Sequence, residues 1–317
     1  MTDPSETGHD GPDPGLSAIT GERRQLIHLA YRLLGSLSDA EDVVQEADTR
    51  WYALTPEQRA DIASPGAWLT TVAGRICLDL LGSARARRER YTGAWIPEPL
   101  PGSAEWVSVR WGVSVADPAD RVTLDESLTV AFLVVLESMT PAERVALILH
   151  DVFGYTFAEV AEVVGRTPGA CRQLAASARR RLRAPRSAPD PVERQADLVN
   201  GFKRAWEAKD IKALVGLLDP RATMTADGGG QAGAALRPVV GAERIARHML
   251  GIAARVPGLT VREQTVNGRP GLVALNGGIT VTVAAFDVAG GRIRRIWVVR
   301  DPAKLRPWRR WPEPDAR

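Results

Sequence analysis

Residues 156 to 183, TFAEVAEVVGRTPGACRQLAASARRRLR, constrain the fold more than any other stretch, because two capped helices follow one another across a very short turn. Thr156 and Glu159 stand at capping-box spacing, where each side chain satisfies a backbone N–H at a helix start. Phe157, Val160, Ala161 and Val164 fall at i, i+3, i+4 and i+7 and define one buried face. Gly165 supplies the left-handed conformation that stops a helix. Thr167 is then a natural N-cap, and Pro168 suits the first helical position, where its missing N–H costs nothing. Cys171, Leu174, Ala175, Ala178 and Leu182 form the second apolar stripe. The opposite face carries Arg172, Gln173, Ser177, Arg180 and Arg183, donor-rich side chains of the kind that read base edges and phosphates in a major groove. An ordinary helical hairpin with solvated arginines answering the helix dipole is the alternative. The short turn and the donors together favour DNA.

A chain of 317 residues is long enough for two or three domains. Its 41 Lys and Arg against 38 Asp and Glu leave a net charge of +3, too small to define a partner. Distribution is more telling: arginines crowd into 85 to 90 and 179 to 186, acids into 39 to 46, so separate surfaces are expected to meet partners of opposite sign. Cys77 and Cys171 both sit on predicted buried stripes, which argues for reduced thiols packed as small hydrophobes. The absence of a long apolar run or of signal-peptide features at the start predicts a cytoplasmic protein without a membrane partner.

Along the chain, residues 1–20 read as a flexible tail rich in Pro, Gly, Asp and Ser, and 312–317 as a second tail. Helical periodicity fills 21–92. Ser38 and Glu41 are spaced as a capping box before the stripe Ala40, Val43, Val44, Ala47 and Trp51, leaving Asp39, Asp42, Gln45 and Glu46 on the open face. A further helix starts at Ser64 and Pro65 and buries Trp68, Leu69, Val72, Ala73, Ile76 and Leu80, ending in Arg85, Arg87, Arg88 and Arg90. In the linker 93–124 the pattern breaks, because Pro97, Pro99 and Pro101 alternate and favour an extended, polyproline-like strand with Trp95, Ile96 and Leu100 as its apolar side. Helices resume over 125–186. Asp190 and Pro191 open a helix expected to bury Val192, Val199, Phe202 and Trp206, and after about residue 220 strand-like runs with hairpin turns at Asn267-Gly268 and Gly290-Gly291 predict antiparallel strands. The fold class is therefore multidomain: two all-α helical units followed by an α+β domain over 190–311.

The segments DAEDVVQEA, AWLTTVAGRICLDLL and TPAERVALILHDVFGYTFAEVAEVVG, in this order and spacing, resemble regions 2 and 4 of extracytoplasmic-function sigma factors. YTGAWIPEPL, DGGG at 227 to 230 and DPAKL at 301 to 305 resemble a subgroup with a C-terminal, cone-shaped SnoaL-like domain. The resemblance implies a protein that binds core RNA polymerase and promoter DNA, regulated in cis by its extension, with no catalytic residue, cofactor or metal. It places Asp39, Asp42, Gln45 and Glu46 against the clamp helices of the largest polymerase subunit, and region 4 near the flap. Trp68, Thr71, Arg75, Asp79, Arg85 and Arg88 would open and hold the minus-10 strand, although periodicity alone favours Trp68 as core. Thr167, Pro168, Gly169, Arg172, Gln173, Ser177 and Arg180 would read the minus-35 element. Trp95, Ile96, Pro97, Glu98, Pro99 and Leu100 would form the regulatory contact with Asp227, Gly228, Gly229 and Gly230 and with Asp301, Pro302, Lys304 and Leu305. Asp48, Arg75, Ser177, Asp301 and Ala303 depart from the family's usual residues.

For the extension, the sequence leaves three uses open: regulation through shape, sensing of a small-molecule ligand in the cone, and catalysis around His248, Asp227 and Asp301. Its single histidine and the lack of metal-ligand or triad spacing argue against catalysis. A helix-turn-helix regulator outside the sigma family, fused to a ligand-binding or enzymatic domain, is the alternative for the whole chain.

Overall fold

The computed structural model describes residues 14–88, 93–102, 126–182, 190–230, 237–256 and 258–309, with only the backbone described for 14–21, 84–88, 126 and 253–254. Residues 1–13 and 312–317 of the expected tails and 103–124 of the expected 93–124 linker therefore lie outside the described residues, as do Arg90, Arg183 and the side chains of Arg85, Arg87 and Arg88, whereas 14–20, expected as tail, begin a helix.

Four helices open the chain: α1 (Pro14–Leu34), α2 (Leu37–Tyr52), α3 (Pro56–Ala60) and α4 (Pro65–Arg88). Gly35, at φ 70°, ends α1, and Ser36 rather than Ser38 caps α2 by accepting the Asp39 N–H. The expected box at Ser38 and Glu41 does not cap α2, and a single N-cap bond two residues earlier stands in its place, because the helix starts directly after the turn at Gly35. On α4 the fully buried line is Leu69, Ala73, Cys77 and Leu81, with Trp68, Val72, Ile76 and Leu80 flanking it. Asp48, the departure from an apolar residue, forms an ion pair with Arg23 of α1.

The second helical unit comprises α5 (Val130–Leu136), α6 (Pro141–Leu147) running into a π turn (Ile148–Val152), α7 (Phe157–Val164) and α8 (Pro168–Leu182). The Thr156 and Glu159 box forms as expected, Gly165 is left-handed at φ 68°, and Thr167 caps α8 through the Ala170 N–H. The two units share one core, in which Leu29, Leu33, Val44 and Ala73 pack into the same cluster as Leu136, Leu147, Val160 and Cys171. Two buried arginines stitch them: Arg144 donates to Leu33 O, Leu136 O and Glu137, while Arg32 donates Nε–H to Ser127 Oγ at 2.8 Å.

The C-terminal domain has α9 (Val192–Glu207), α10 (Ile211–Leu217) and α11 (Ala242–Arg255) over a six-stranded sheet, with α12 (Arg306–Arg309) at its end. The strands are β1 (Leu218–Asp227), β2 (Val239–Val240), β3 (Leu259–Val266), β4 (Arg269–Asn276), β5 (Ile279–Ala289) and β6 (Arg292–Val299), ordered β2-β1-β6-β5-β4-β3. The sheet is mixed rather than wholly antiparallel, because β1 runs parallel to β6. Val192 is exposed, contrary to expectation, and Asp190 accepts the Gly291 N–H instead of capping α9. Each sheet face has its own core. Phe202, Trp206, Ile245 and Phe286 lie with the helices on one side, whereas Val273, Val283, Trp297 and Val299 on the other meet Ile96, Val130, Leu305 and Trp308.

Candidate nucleic-acid interface and linker clamp

Alternating prolines set the chemistry of the linker. Pro97, Pro99 and Pro101 have no N–H, so the donors from 96 to 102 belong to Ile96, Glu98, Leu100 and Gly102. Each is used by another part of the chain. Ile96 donates to Asp227 Oδ2 (2.9 Å), Glu98 to Gly35 O (2.8 Å), Leu100 to Asn267 Oδ1 (2.9 Å) and Gly102 to Thr265 O (3.1 Å). The carbonyls are taken likewise: Ile96 O by Lys304 Nζ (2.5 Å), Glu98 O by Tyr31 Oη (2.7 Å), Pro99 O by Trp308 Nε1 (2.8 Å) and Leu100 O by Asn267 N (2.9 Å). A segment that cannot pair with itself is thereby satisfied from both sides, as buried backbone must be.

Asp227 is the anionic end of this clamp. Its carboxylate, almost wholly buried at the end of β1, accepts from Ile96 N, Gly229 N and Lys304 Nζ, the last at 2.7 Å. The same ammonium lies 4.3 Å from the Trp95 ring centroid. Glycine is required opposite that ring, since a Cβ on Gly35 would come within 2.9 Å of Trp95 Cη2. The glycines after Asp227 act differently from the expectation. Gly229 makes room for Asp301, whose carboxylate carbon would lie 2.7 Å from an added Cβ, while Gly230 and Pro302 are exposed. Asp301 also accepts the Ala303 N–H, shaping the turn that presents Lys304, and Leu305 packs in the cluster with Ile96.

Glu98 faces region 2 and not the extension. Its Oε2 accepts the Leu37 N–H at 2.7 Å, at the start of α2. Burial pushes its carboxyl up to about 7, against the pull of the Leu37 N–H and the Lys304 ammonium, with Glu41 and Asp39 adding to the rise.

Asn267 was legible only as a turn residue, yet it is fully buried and joins four parts of the chain. Besides its bonds to Leu100, its Nδ2 donates to Tyr31 Oη of α1 (2.8 Å) and to Leu128 O ahead of α5 (2.9 Å). Trp308 and Tyr31 are further contacts that periodicity could not reveal, because their partners lie about two hundred residues or more away along the chain.

On the reading faces, Asp39, Asp42, Gln45 and Glu46 are exposed together along α2, with Glu46 paired to Arg50 at 2.8 Å. Trp68 is half-buried and packs on Trp51 with centroids 5.3 Å apart, so core packing and an accessible edge coexist. Thr71 donates back to Ala67 O, and Asp79 is exposed. Arg75 donates through Nε and Nη2 to Glu162 O at the end of α7, and a Cβ on Gly74 would come within 2.7 Å of Val163. This part of the expected minus-10 face is therefore packed on the helix-turn-helix. On α8, Thr167, Pro168, Gly169, Arg172, Gln173 and Arg180 are exposed, and the Arg172 guanidinium sits 5.2 Å from the Phe157 ring centroid. Ser177 is corrected: half-buried, it donates to Glu143 Oε1 at 2.7 Å and so belongs to the seam with α6. Among the described residues no cluster of His, Cys, Asp and Glu is arranged to hold a metal, and no helix is long and apolar enough to cross a membrane.

A helix-turn-helix unit and an acid-faced helical unit sharing a core, with a third domain gripping the strand between them, define a transcription-initiation protein of the sigma type. Residues 18–87 match the family model of Sigma-70 region 2, and 129–182 that of Sigma-70, region 4. The chain is 40% identical to the ECF RNA polymerase sigma factor SigJ of Mycobacterium tuberculosis, covering 92% of this chain and 93% of that one. Against the probable ECF RNA polymerase sigma factor SigI of the same species it is 35% identical, with 94% and 97% covered. The crystal structure of SigJ superposes with a TM-score of 0.71 at 35% identity over 92% of this chain and 98% of that one. The chain belongs to the extracytoplasmic-function RNA polymerase sigma factors.

Proposed function

We propose that the SnoaL-like extension of this sigma factor regulates initiation in cis by fixing the strand between regions 2 and 4, and so the distance over which the two promoter elements are read together. The observation that carries this is the use of all four linker donors, three by the extension and one by region 2. The exposed acids of α2 meet the clamp helices of core polymerase, region 4 docks near the flap, and Arg172, Gln173 and Arg180 enter the minus-35 major groove with Thr167, Pro168 and Gly169 at the helix start. Trp68, Thr71, Arg75, Asp79, Arg85 and Arg88 serve the minus-10 strand once α4 and α7 part. The domain boundaries follow the same division: region 2 over 21–92, linker over 93–124, region 4 over 125–186 and the regulatory domain over 190–311. The extension works by holding and releasing, not by catalysis.

Run-off transcription with core enzyme across promoters of graded spacer length tests this. Asp227→Ala orphans the Ile96 N–H and removes the buried counter-charge of Lys304, and is expected to broaden the spacer optimum of the wild type. An unchanged spacer profile from a folded variant would refute the regulatory reading.

A further inference from the structure

The extension encloses a cavity of about 480 Å³ on the face of the sheet turned away from the linker. Its walls are Phe202, Trp206, Met224, Met249, Leu272 and Phe286 together with small residues such as Ala226, Ala274 and Ala284, and the volume lies within the range of small-molecule sites. The ionisable side chains of the lining are Lys203, His248, Arg255 and Arg300, and no Asp or Glu is among them. Lys203 has Glu207 and Glu263 at 3.8 and 3.6 Å, and Arg255 donates Nε–H to Gly251 O, so these two cations are held in place by their own neighbours. Burial, with the positive Arg255 nearby, lowers the His248 pKa and so disfavours its charged form.

We propose that this cavity binds an amphipathic organic anion, a flat or chain-like apolar body against the aromatic and methionine walls with a carboxylate-type head among Lys203, Arg255 and Arg300. An apolar interior explains affinity for the body, and a lining with cationic donors and no acid selects the sign of the head. A neutral or cationic ligand of the same shape would leave these donors unanswered. The binding step stands apart from the regulatory reading. Coupling between the two rests on that reading and has a direct route, because Ala226, Val298 and Arg300 line the cavity while their neighbours Asp227 and Val299 face the linker.

Three probes of one shape decide it: 1-naphthaleneacetate, 2-(1-naphthyl)ethanol and 2-(1-naphthyl)ethylamine, titrated calorimetrically into the full chain. The acid is expected to bind about tenfold to a hundredfold tighter than the alcohol, and the amine more weakly than either. In the triple variant Lys203→Gln, Arg255→Gln and Arg300→Gln the advantage of the acid over the alcohol should disappear. Equal affinity for acid and alcohol in the wild type overturns the proposal, as does a preference for the acid that survives in the triple variant, or no binding by any of the three to folded protein. None of these results depends on transcription, so the site can fail while the regulatory reading stands, and the reverse.

Discussion

Asn267→Gly is the sharpest test of the clamp, because it removes a side chain without disturbing the backbone that carries it. Asn267 sits at φ 49°, in the left-handed region, where glycine is at least as comfortable as asparagine. The substitution leaves the Asn267 N–H to Leu100 O bond intact and deletes three side-chain bonds. Tyr31 still donates to Glu98 O, so its hydroxyl loses one of two partners. The Leu100 N–H and the Leu128 carbonyl lose theirs inside a region where both residues are fully buried. Each orphaned group costs about 1–3 kcal/mol, and water entering the vacated space recovers part of that, so the docked linker is destabilised by about 2–4 kcal/mol. Converted at 1.4 kcal/mol per factor of ten, local opening rises roughly 30-fold to 700-fold. Hydrogen exchange followed by mass spectrometry reads this directly, since the prolines confine the signal of residues 96–102 to Ile96, Glu98, Leu100 and Gly102. Their exchange should accelerate by that factor, while amides in the middle of α8 keep their wild-type rates. Unchanged exchange in this peptide would show that Asn267 merely fills space and that the linker is held by other means.

The raised Glu98 carboxyl makes the docked linker retain a proton that the released chain gives up at a lower pH, so docking is favoured at low pH and weakens as pH rises from about 4.5 to about 7. Glu98→Gln keeps an acceptor for Leu37 N–H and removes the titration, so wild-type stability should fall relative to the variant by roughly 1–3 kcal/mol over that range; a difference in urea midpoints that does not vary with pH refutes it. Arg172→Ala should cost about 1–3 kcal/mol in minus-35 binding and relax one base preference, whereas a uniform loss across mutated promoters would demote Arg172 to a phosphate contact. Ser177→Ala breaks the bond to Glu143 and should lower stability by about 0.5–1.5 kcal/mol with promoter affinity unchanged; weakened DNA binding by a fully stable variant would return Ser177 to the reading face.

The parts of the fold that were legible in the sequence rest on local physics. The caps of α7 and α8 and the stop at Gly165 each follow from a few adjacent residues, and the structure reproduces them. Ser177 was misplaced because it borders the apolar stripe, where helical phase alone cannot say whether a hydroxyl turns outward or bonds across a seam. Strand β1 went unrecognised because Pro220 interrupts its pattern at a register shift, and because its pairing with β6 is parallel and distant in sequence. Asp227 and Lys304 were found through motifs, whereas Asn267, Tyr31 and Trp308 give no local sign of bonds that span the whole chain.

The unequal strength of the contacts orders the steps of promoter engagement. The acid face of α2, proposed above for core polymerase, is exposed in this pose. The face proposed for the minus-10 strand is covered in part, because Arg75 and Gly74 pack against α7. Its polar contacts are few, namely guanidinium bonds to a single carbonyl and the Tyr155 to Thr70 hydroxyl bond of 3.0 Å, and beneath them Ala73 and Cys77 share a buried core with Val160 and Val163. The linker contact is thick, with eight backbone groups satisfied and a buried ion pair at its end. On the regulatory reading, polymerase and DNA have to open this shared core to part α4 from α7, while the extension keeps its hold on the linker. Regions 2 and 4 would then separate only as far as that hold permits, which makes the extension a limit on promoter geometry and not simply a cover over it.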